Sequence, residues 1–119
     1  MDLLQLRDYC LAKPFVTEEF PFDDETLVFK VFGKMFALLD IYSVPPWLNL
    51  KANPFDVVSL VETYEFVSPG YHMNKKYWIT VQLVDNIENN LIYRLIDNSY
   101  FEVVKKLPKY MQKLILKDD

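Results

Sequence analysis

The residues best equipped for chemistry lie in one run, Pro69-Gly-Tyr-His-Met-Asn-Lys-Lys-Tyr-Trp, which ends at Trp78. It holds the only histidine, His72, two adjacent lysines, Lys75 and Lys76, one of the two glycines, Gly70, and the aromatics Tyr71, Tyr77 and Trp78. Donors, cations and stacking faces placed together suit a polar or anionic ligand. Lys75 and Lys76 could contact phosphates, while Tyr71, Tyr77 and Trp78 could stack on bases or sugars. Each also has a plainer role. Charged hairpin tips guard sheet edges, and Trp78 is expected to pack in the sheet. Lys34 at a hairpin tip and Lys51 at a strand end would extend the positive feature.

No catalytic constellation is complete. His72 could serve as a general base or a metal ligand, but a zinc site here would need carboxylates in three places, which is uncommon. A hydrogen-bonded structural histidine is expected instead. Glu18, Glu19, Asp23, Asp24 and Glu25 could gather a hard cation, yet they lack the spacing of a calcium loop. Ser43, Ser59, Ser68 and Ser99 have no G-x-S-x-G context. With Gly33 and Gly70 as the only glycines, no phosphate-cradling G-x-x-x-x-G-K loop exists. No catalytic residue, metal or other cofactor is expected, and the expected class is a non-enzymatic binding module.

The elements that must position these residues follow from pattern. The length of 119 residues argues for one domain spanning residues 1–119, and 51% apolar content with 16% aromatics allows a core without staples. Asp2 to Ala12 reads as a capped helix ended by Pro14, with Cys10 on its apolar side. Phe15 to Asp24 reads as an irregular segment whose phenylalanines pack inward. Thr26 to Phe32 and Met35 to Ile41 form a hairpin around Gly33-Lys34, and Trp47 to Lys51 a third strand. Asn53-Pro54 opens a second helix. Phe66 to Met73 and Tyr77 to Val84 read as two more strands, the second with one buried and one wet face. Asn86 is placed as cap of a last long helix over residues 87–106, and the tail 110–119 as room for a short added helix. The order, α-β(3)-α-β(2)-α, gives a two-layer α+β domain: an antiparallel sheet with helices on one face.

Charge narrows the partners. The net charge is −4 and the pI about 4.9, whereas nucleic-acid-binding domains are usually basic. The distribution is uneven, with acids early and Lys75, Lys76, Lys105, Lys106, Lys109, Lys113 and Lys117 late, so one face could be locally positive. The N-terminal residues carry neither a basic leader nor a long apolar run. No signal peptide or membrane span is expected, and a reducing cytoplasm is the default location.

Several segments together resemble the MmcQ/YjbR-like family of small bacterial proteins. They are Phe20-Pro-Phe, Leu27-Val-Phe-Lys-Val followed by Gly33-Lys-Met-Phe-Ala-Leu, Leu50-Lys51 with Pro54, Pro69-Gly-Tyr-His-Met-Asn-Lys with Trp78 and Val81, and Ser99-Tyr100 followed by Leu107-Pro-Lys. The likeness runs to about residue 109, and the tail extends past it. It implies a fold similar to type III secretion chaperones, also likened to frataxin, and a DNA-binding label through two hairpin wings. It nominates Lys34, Lys51, His72, Asn74, Lys75 and Lys76. The family pattern usually has Gly-Gly-Lys in the first hairpin where this chain has Phe32-Gly33-Lys34, so an exposed Phe32 is expected to stiffen that tip and offer a stacking surface. The expected partner is DNA or another polyanion, held by Lys34, Lys51, Tyr71, His72, Asn74, Lys75 and Lys76, with Lys105 and Lys106 in support. The other expectation is a chaperone-like module with a protein partner. The likeness to frataxin raises iron handling, which the sparse acids of the first helix, Asp2 and Asp8, do not favour; a small-molecule enzyme is the remaining class.

Overall fold

The computed structural model describes residues 2–117. Its elements in chain order are α1 (Leu3–Leu11), β1 (Val16–Glu19), β2 (Thr26–Val31), β3 (Lys34–Asp40), β4 (Trp47–Lys51), α2 (Pro54–Thr63), β5 (Val67–Pro69), β6 (Trp78–Gln82), α3 (Asn89–Val104) and α4 (Lys109–Lys117). All neighbouring strands are antiparallel, in the order β1-β2-β3-β4-β6-β5. The α+β class and the helix-strand order expected from the sequence hold, with one strand added at the edge.

That strand is β1, expected to be irregular. Its register sets Val16 opposite Val31 and Glu18 opposite Phe29. Two glutamates in four residues weaken its intrinsic strand preference, and pairing with β2 overrides that preference. The phenylalanines around it do not pack inward as expected: Phe15, Phe20 and Phe22 are all exposed. Phe15 instead stacks on Phe32 with ring centroids 4.7 Å apart. Phe32 is therefore half-buried against its own chain and is not the free stacking surface expected at the hairpin tip.

Caps fix two helix starts. The Leu4 N–H donates to Asp2 Oδ1 at 2.9 Å, and the Asp56 N–H donates to Asn53 Oδ1 at 2.9 Å with Pro54 following the cap, which satisfies amides that a helix terminus leaves unpaired. The expected cap at Asn86 is displaced. Glu88 occupies the cap position of α3 without a side-chain bond, and Asn86 takes a left-handed turn conformation (φ 74°), which asparagine tolerates.

Strand alternation sends Leu27, Phe29, Val31, Ala37, Leu39, Leu48, Leu50, Ile79 and Val81 into one core with Leu6 and Cys10 of α1 and with Ile92, Leu95, Ile96, Tyr100 and Val103 of α3. Complete burial of a leucine- or phenylalanine-sized side chain is worth about 1.5–3 kcal/mol. A shift between Phe29 and Lys30 in the β2–β3 register leaves Phe36 as an extra residue, and its ring also enters the core, edge-on to Tyr100. Buried Ser99 locks helix to sheet. Its Oγ accepts from the Lys51 N–H at 2.8 Å and donates to the Phe36 carbonyl.

The helices cover only this face. On the opposite, open face Val28, Leu38, Asn49 and Thr80 lie in register across four strands.

Candidate functional site

The run from Gly70 to Tyr77, placed largely in strands by pattern, crosses the open face as a strap. Gly70 is buried because the chain passes tightly over β6. A Cβ there would sit 2.6 Å from Trp78 Cβ, so only glycine fits. The Gly70 N–H donates to the Trp78 carbonyl at 2.8 Å. Next, the Tyr71 N–H donates to Thr80 Oγ1 at 2.7 Å, Asn49 Nδ2 donates to the Tyr71 carbonyl at 3.0 Å, and Thr80 Oγ1 donates to Asn49 Oδ1. Asn49 and Thr80 are thereby buried and satisfied. The wet face expected for β6 is dry at Thr80 because the strap covers it.

Other strap residues also serve the fold. Met73 packs on a small second cluster of Val28, Leu38 and Trp78. Trp78 is buried as expected, but on the open side; Ile79 and Val81 hold the core side. Lys75 Nζ donates to the Gly70 carbonyl at 2.9 Å, and Asn74 Oδ1 accepts from the Lys76 N–H at 2.9 Å. Tyr71 meets Trp47 edge to face at 6.2 Å, and the His72 ring lies 3.9 Å from the Tyr71 ring. His72 itself is exposed and sits at φ 58°. Among the described residues no group of three or more His, Cys, Asp or Glu could hold a metal ion.

Four of the nominated residues divide between two hollows, one at the end of the sheet against the α3 terminus and one on the open face. Lys34 and Lys51 line a groove of about 390 Å³ with Met35, Trp78, Val103, Lys106 and Leu107. Because β3 and β4 are antiparallel, the start of one strand and the end of the other lie at the same end of the sheet, where α3 also finishes. Tyr71 and His72 line a different hollow of about 580 Å³ with Phe22, Trp47, Asn49 and the carboxylates Asp23, Glu25 and Asp40. The structure therefore sets His72 among acids and Lys34 and Lys51 among cations. Lys76 stands beside the cationic end, since its Nζ and that of Lys106 lie 5.6 and 5.5 Å from the centre of the Tyr77 ring, a cation–π arrangement.

The electrostatics of the groove favour an anion. Among the described residues, carboxylates pair with Arg7, Lys13, Lys30 and Lys105, and none of these pairs involves Lys34, Lys51 or Lys106. Burial depresses the Lys51 pKa below its ordinary value; the Lys106 and Lys105 ammoniums push the same way, while Glu102 opposes them. Mutually repelling ammoniums over a partly apolar wall gain most from a bound anion.

A third hollow, about 630 Å³ between α1 and the β1 side of the sheet, is lined mainly by Leu3, Leu4, Phe20, Leu27, Leu39 and Ile41. Of its charged members, Arg7 and Glu18 are spent on each other in a bidentate pair and Glu19 on Lys30, so it offers no converging polar groups. Sequence reasoning placed Lys106 only in support and overlooked Met35, Val103 and Leu107 as walls. The available signal was the apolar spacing that puts Val103 and Leu107 on one side of the α3 terminus beside Lys106. Cys10 is buried and free, its thiol pushed up to about 12 by burial, so it stays protonated and inert.

The YjbR family model matches residues 11–102. The chain is 40% identical over 105 residues to the uncharacterized protein YbdF of Escherichia coli O157:H7, covering 88% of this chain and 86% of that one. It is 32% identical over 116 residues to the uncharacterized protein YjbR of Escherichia coli K12, covering 98% of each. A crystal structure of a Deinococcus radiodurans protein with a DUF419 domain superposes with a TM-score of 0.87 at 41% identity, covering 95% of this chain and 86% of that one. A Pseudomonas syringae crystal structure superposes with a TM-score of 0.72 at 30% identity, covering 83% and 96%.

Proposed function

The chain belongs to the YjbR family, and on that footing we propose that it is a non-enzymatic binding module for phosphate-bearing ligands, nucleic acid among them. One observation carries the proposal: Lys34, Lys51 and Lys106, remote in sequence, line one groove outside the ion pairs that occupy other cations. Lys76 adds charge at its border. Tyr71, His72, Asn74 and Lys75 act through the strap, holding Trp78 as the wall of the groove, and do not touch the ligand. No helix of the described residues is long and apolar enough to cross a membrane.

The test is an NMR titration of the intact chain with pyrophosphate and with labelled DNA. Shifts centred on Lys34, Lys51 and Lys106 are expected. With about three phosphates neutralised, log K for duplex DNA should fall against log salt with a slope of roughly −2 to −3. If neither probe shifts these residues in low salt, the proposal fails.

A protein-interaction module is a second reading, favoured by the outer surface of the helical layer. There Phe55 is 88% exposed, Val58 58% and Phe101 62%, more apolar surface than helix solubility requires. Light scattering that finds a monomer, together with melts unchanged by Phe55→Ser/Phe101→Ser, would count against it.

A further inference from the structure

We infer that the lysine groove prefers a compact phosphate monoester of nucleotide size, and that acids toward the far end of the sheet weaken its hold on extended nucleic acid. The inference rests on the reading of the groove as a phosphate site. Its first support is shape. About 390 Å³ lies within the roughly 300–1,000 Å³ of small-molecule sites. The walls are apolar, formed by Met35, Trp78, Val103 and Leu107, and the cations stand among them. Trp78, only 8% exposed, is a fixed wall for a flat or apolar body rather than a mobile stacking plate. A bare phosphate would leave that wall unused.

The second support is the charge gradient along the sheet. Strand β4 runs from Trp47 in the acidic hollow to Lys51 in the basic groove, and β3 runs from Lys34 to Asp40 in the reverse sense. Four steps along the strand lead from Trp47 to Lys51, about 13 Å. Met35 lines both hollows, so they adjoin on the sheet. A duplex carries one charge per about 1.7 Å of axis. Any duplex lying over the groove along these strands would set phosphates near Asp23, Glu25 and Asp40, close to the roughly 8–10 Å screening length at ordinary salt. A ligand confined to the groove avoids that repulsion.

The acids are also held in place. Asp23 Oδ1 accepts from the N–H groups of Glu25 and Thr26 at 2.9 and 2.7 Å, and Asp40 Oδ1 accepts from those of Tyr42 and Ser43 at 2.9 Å each. The backbone bonds lower the Asp23 pKa, so it stays charged. To swing aside for a polyanion, Asp23 and Asp40 would each have to give up two backbone hydrogen bonds.

The experiment is an NMR titration of the whole chain with inorganic phosphate, adenosine, adenosine monophosphate and a short DNA duplex. Adenosine monophosphate should saturate at Lys51, Val103 and Lys106 and bind about tenfold tighter than inorganic phosphate, because it adds contact with the apolar wall. Adenosine alone should not bind measurably, and the duplex should bind more weakly than the nucleotide. In Asp23→Asn/Glu25→Gln/Asp40→Asn, where asparagine keeps the Oδ1 acceptors, the duplex should tighten about tenfold while the nucleotide changes less than about twofold. If the wild-type chain prefers the duplex, or neutralising the acids leaves the duplex unchanged, the inference is overturned while the groove stands as a phosphate site. If inorganic phosphate equals the nucleotide, the apolar wall plays no part and the ligand class is wrong. If none of the four probes shifts the groove, the underlying reading falls with the inference. The wild-type comparison decides the ligand class even if the triple variant does not fold.

Discussion

The strap from Pro69 to Trp78 and the lysine groove differ in how they are encoded and in what they do. The strap is contiguous and chemically rich, yet most of its polar groups bond to its own chain: Gly70 to Trp78, Tyr71 to Asn49 and Thr80, Lys75 to Gly70. The groove is assembled from Lys34, Lys51 and Trp78 on three strands and Lys106 in the turn after α3, and its lysines are outside the ion pairs. A dense motif can record a tight structural requirement, and a site can be spread so thinly that no motif marks it. Trp78 belongs to both regions, as the last residue of the strap run and a wall of the groove.

The largest expected effect tests the structural side. Trp78→Ala empties a site packed by Val28, Leu38 and Met73, at a cost of roughly 3–5 kcal/mol, read from denaturant unfolding. Gly70→Ala should follow. Its Cβ would fall 2.6 Å from Trp78 Cβ and 3.1 Å from both Met73 Cβ and the Trp78 carbonyl oxygen. A Cβ cannot rotate away, so backbone must shift, costing about 1–3 kcal/mol. Melts of Gly70→Ala that match wild type would show the strap to be loose, and the comparison would collapse.

The parts of the molecule legible in sequence are those with local causes. Asp2 and Asn53-Pro54 act through bonds to amides two or three residues away, and Gly33 supplies a left-handed turn (φ 78°). Ile79 and Val81 declare their face by alternation. What escaped depends on distant pairing. Val16 to Glu19 is a strand only because β2 offers it an edge, and the inward packing assumed for Phe20 and Phe22 had no partner to receive it. The wet face assumed at Thr80 was dry because residues 70–73 return over it. For the site, Lys34 and Lys51 were nominated, but their convergence with Lys106 required the β3–β4 register and the Ser99 bridge that docks α3. The sign of the surroundings of His72 depended on Asp23 and Glu25 arriving from the β1–β2 loop and Asp40 from the end of β3.

The functional side is tested by charge removal. Lys51→Met/Lys106→Met keeps much of the apolar stems and removes the ammoniums. Phosphate-ligand binding should fall at least tenfold, about 1.4 kcal/mol, while stability changes by no more than about 0.5 kcal/mol. The Ser99 bond survives because it uses the Lys51 backbone N–H. Lys75→Met should leave affinity within about twofold, since its ammonium is turned to the Gly70 carbonyl. Titration calorimetry on both variants decides. Equal losses would return the strap lysines to the site and erase the distinction.

The smallest effect concerns pH and isolates one residue. Lys51 has a pKa below its ordinary 10.5 in the folded chain, through burial first and then Lys106. Between the depressed value and 10.5 the folded state holds fewer protons at this position than the unfolded state. By linkage, stability from this group is fully present above the unfolded value and is lost as pH falls through the folded one. Over that window stability therefore gains slightly with rising pH. Phosphate affinity must move the other way, because a bound anion requires the charged ammonium and favours its protonation. Other lysines and tyrosines titrate nearby, so the measurement is the difference between wild type and Lys51→Met from about pH 8 upward. Wild type should lose its affinity advantage while gaining relative stability. Parallel curves for the two proteins in both assays would mean that Lys51 is neither desolvated by its neighbours nor in contact with the anion.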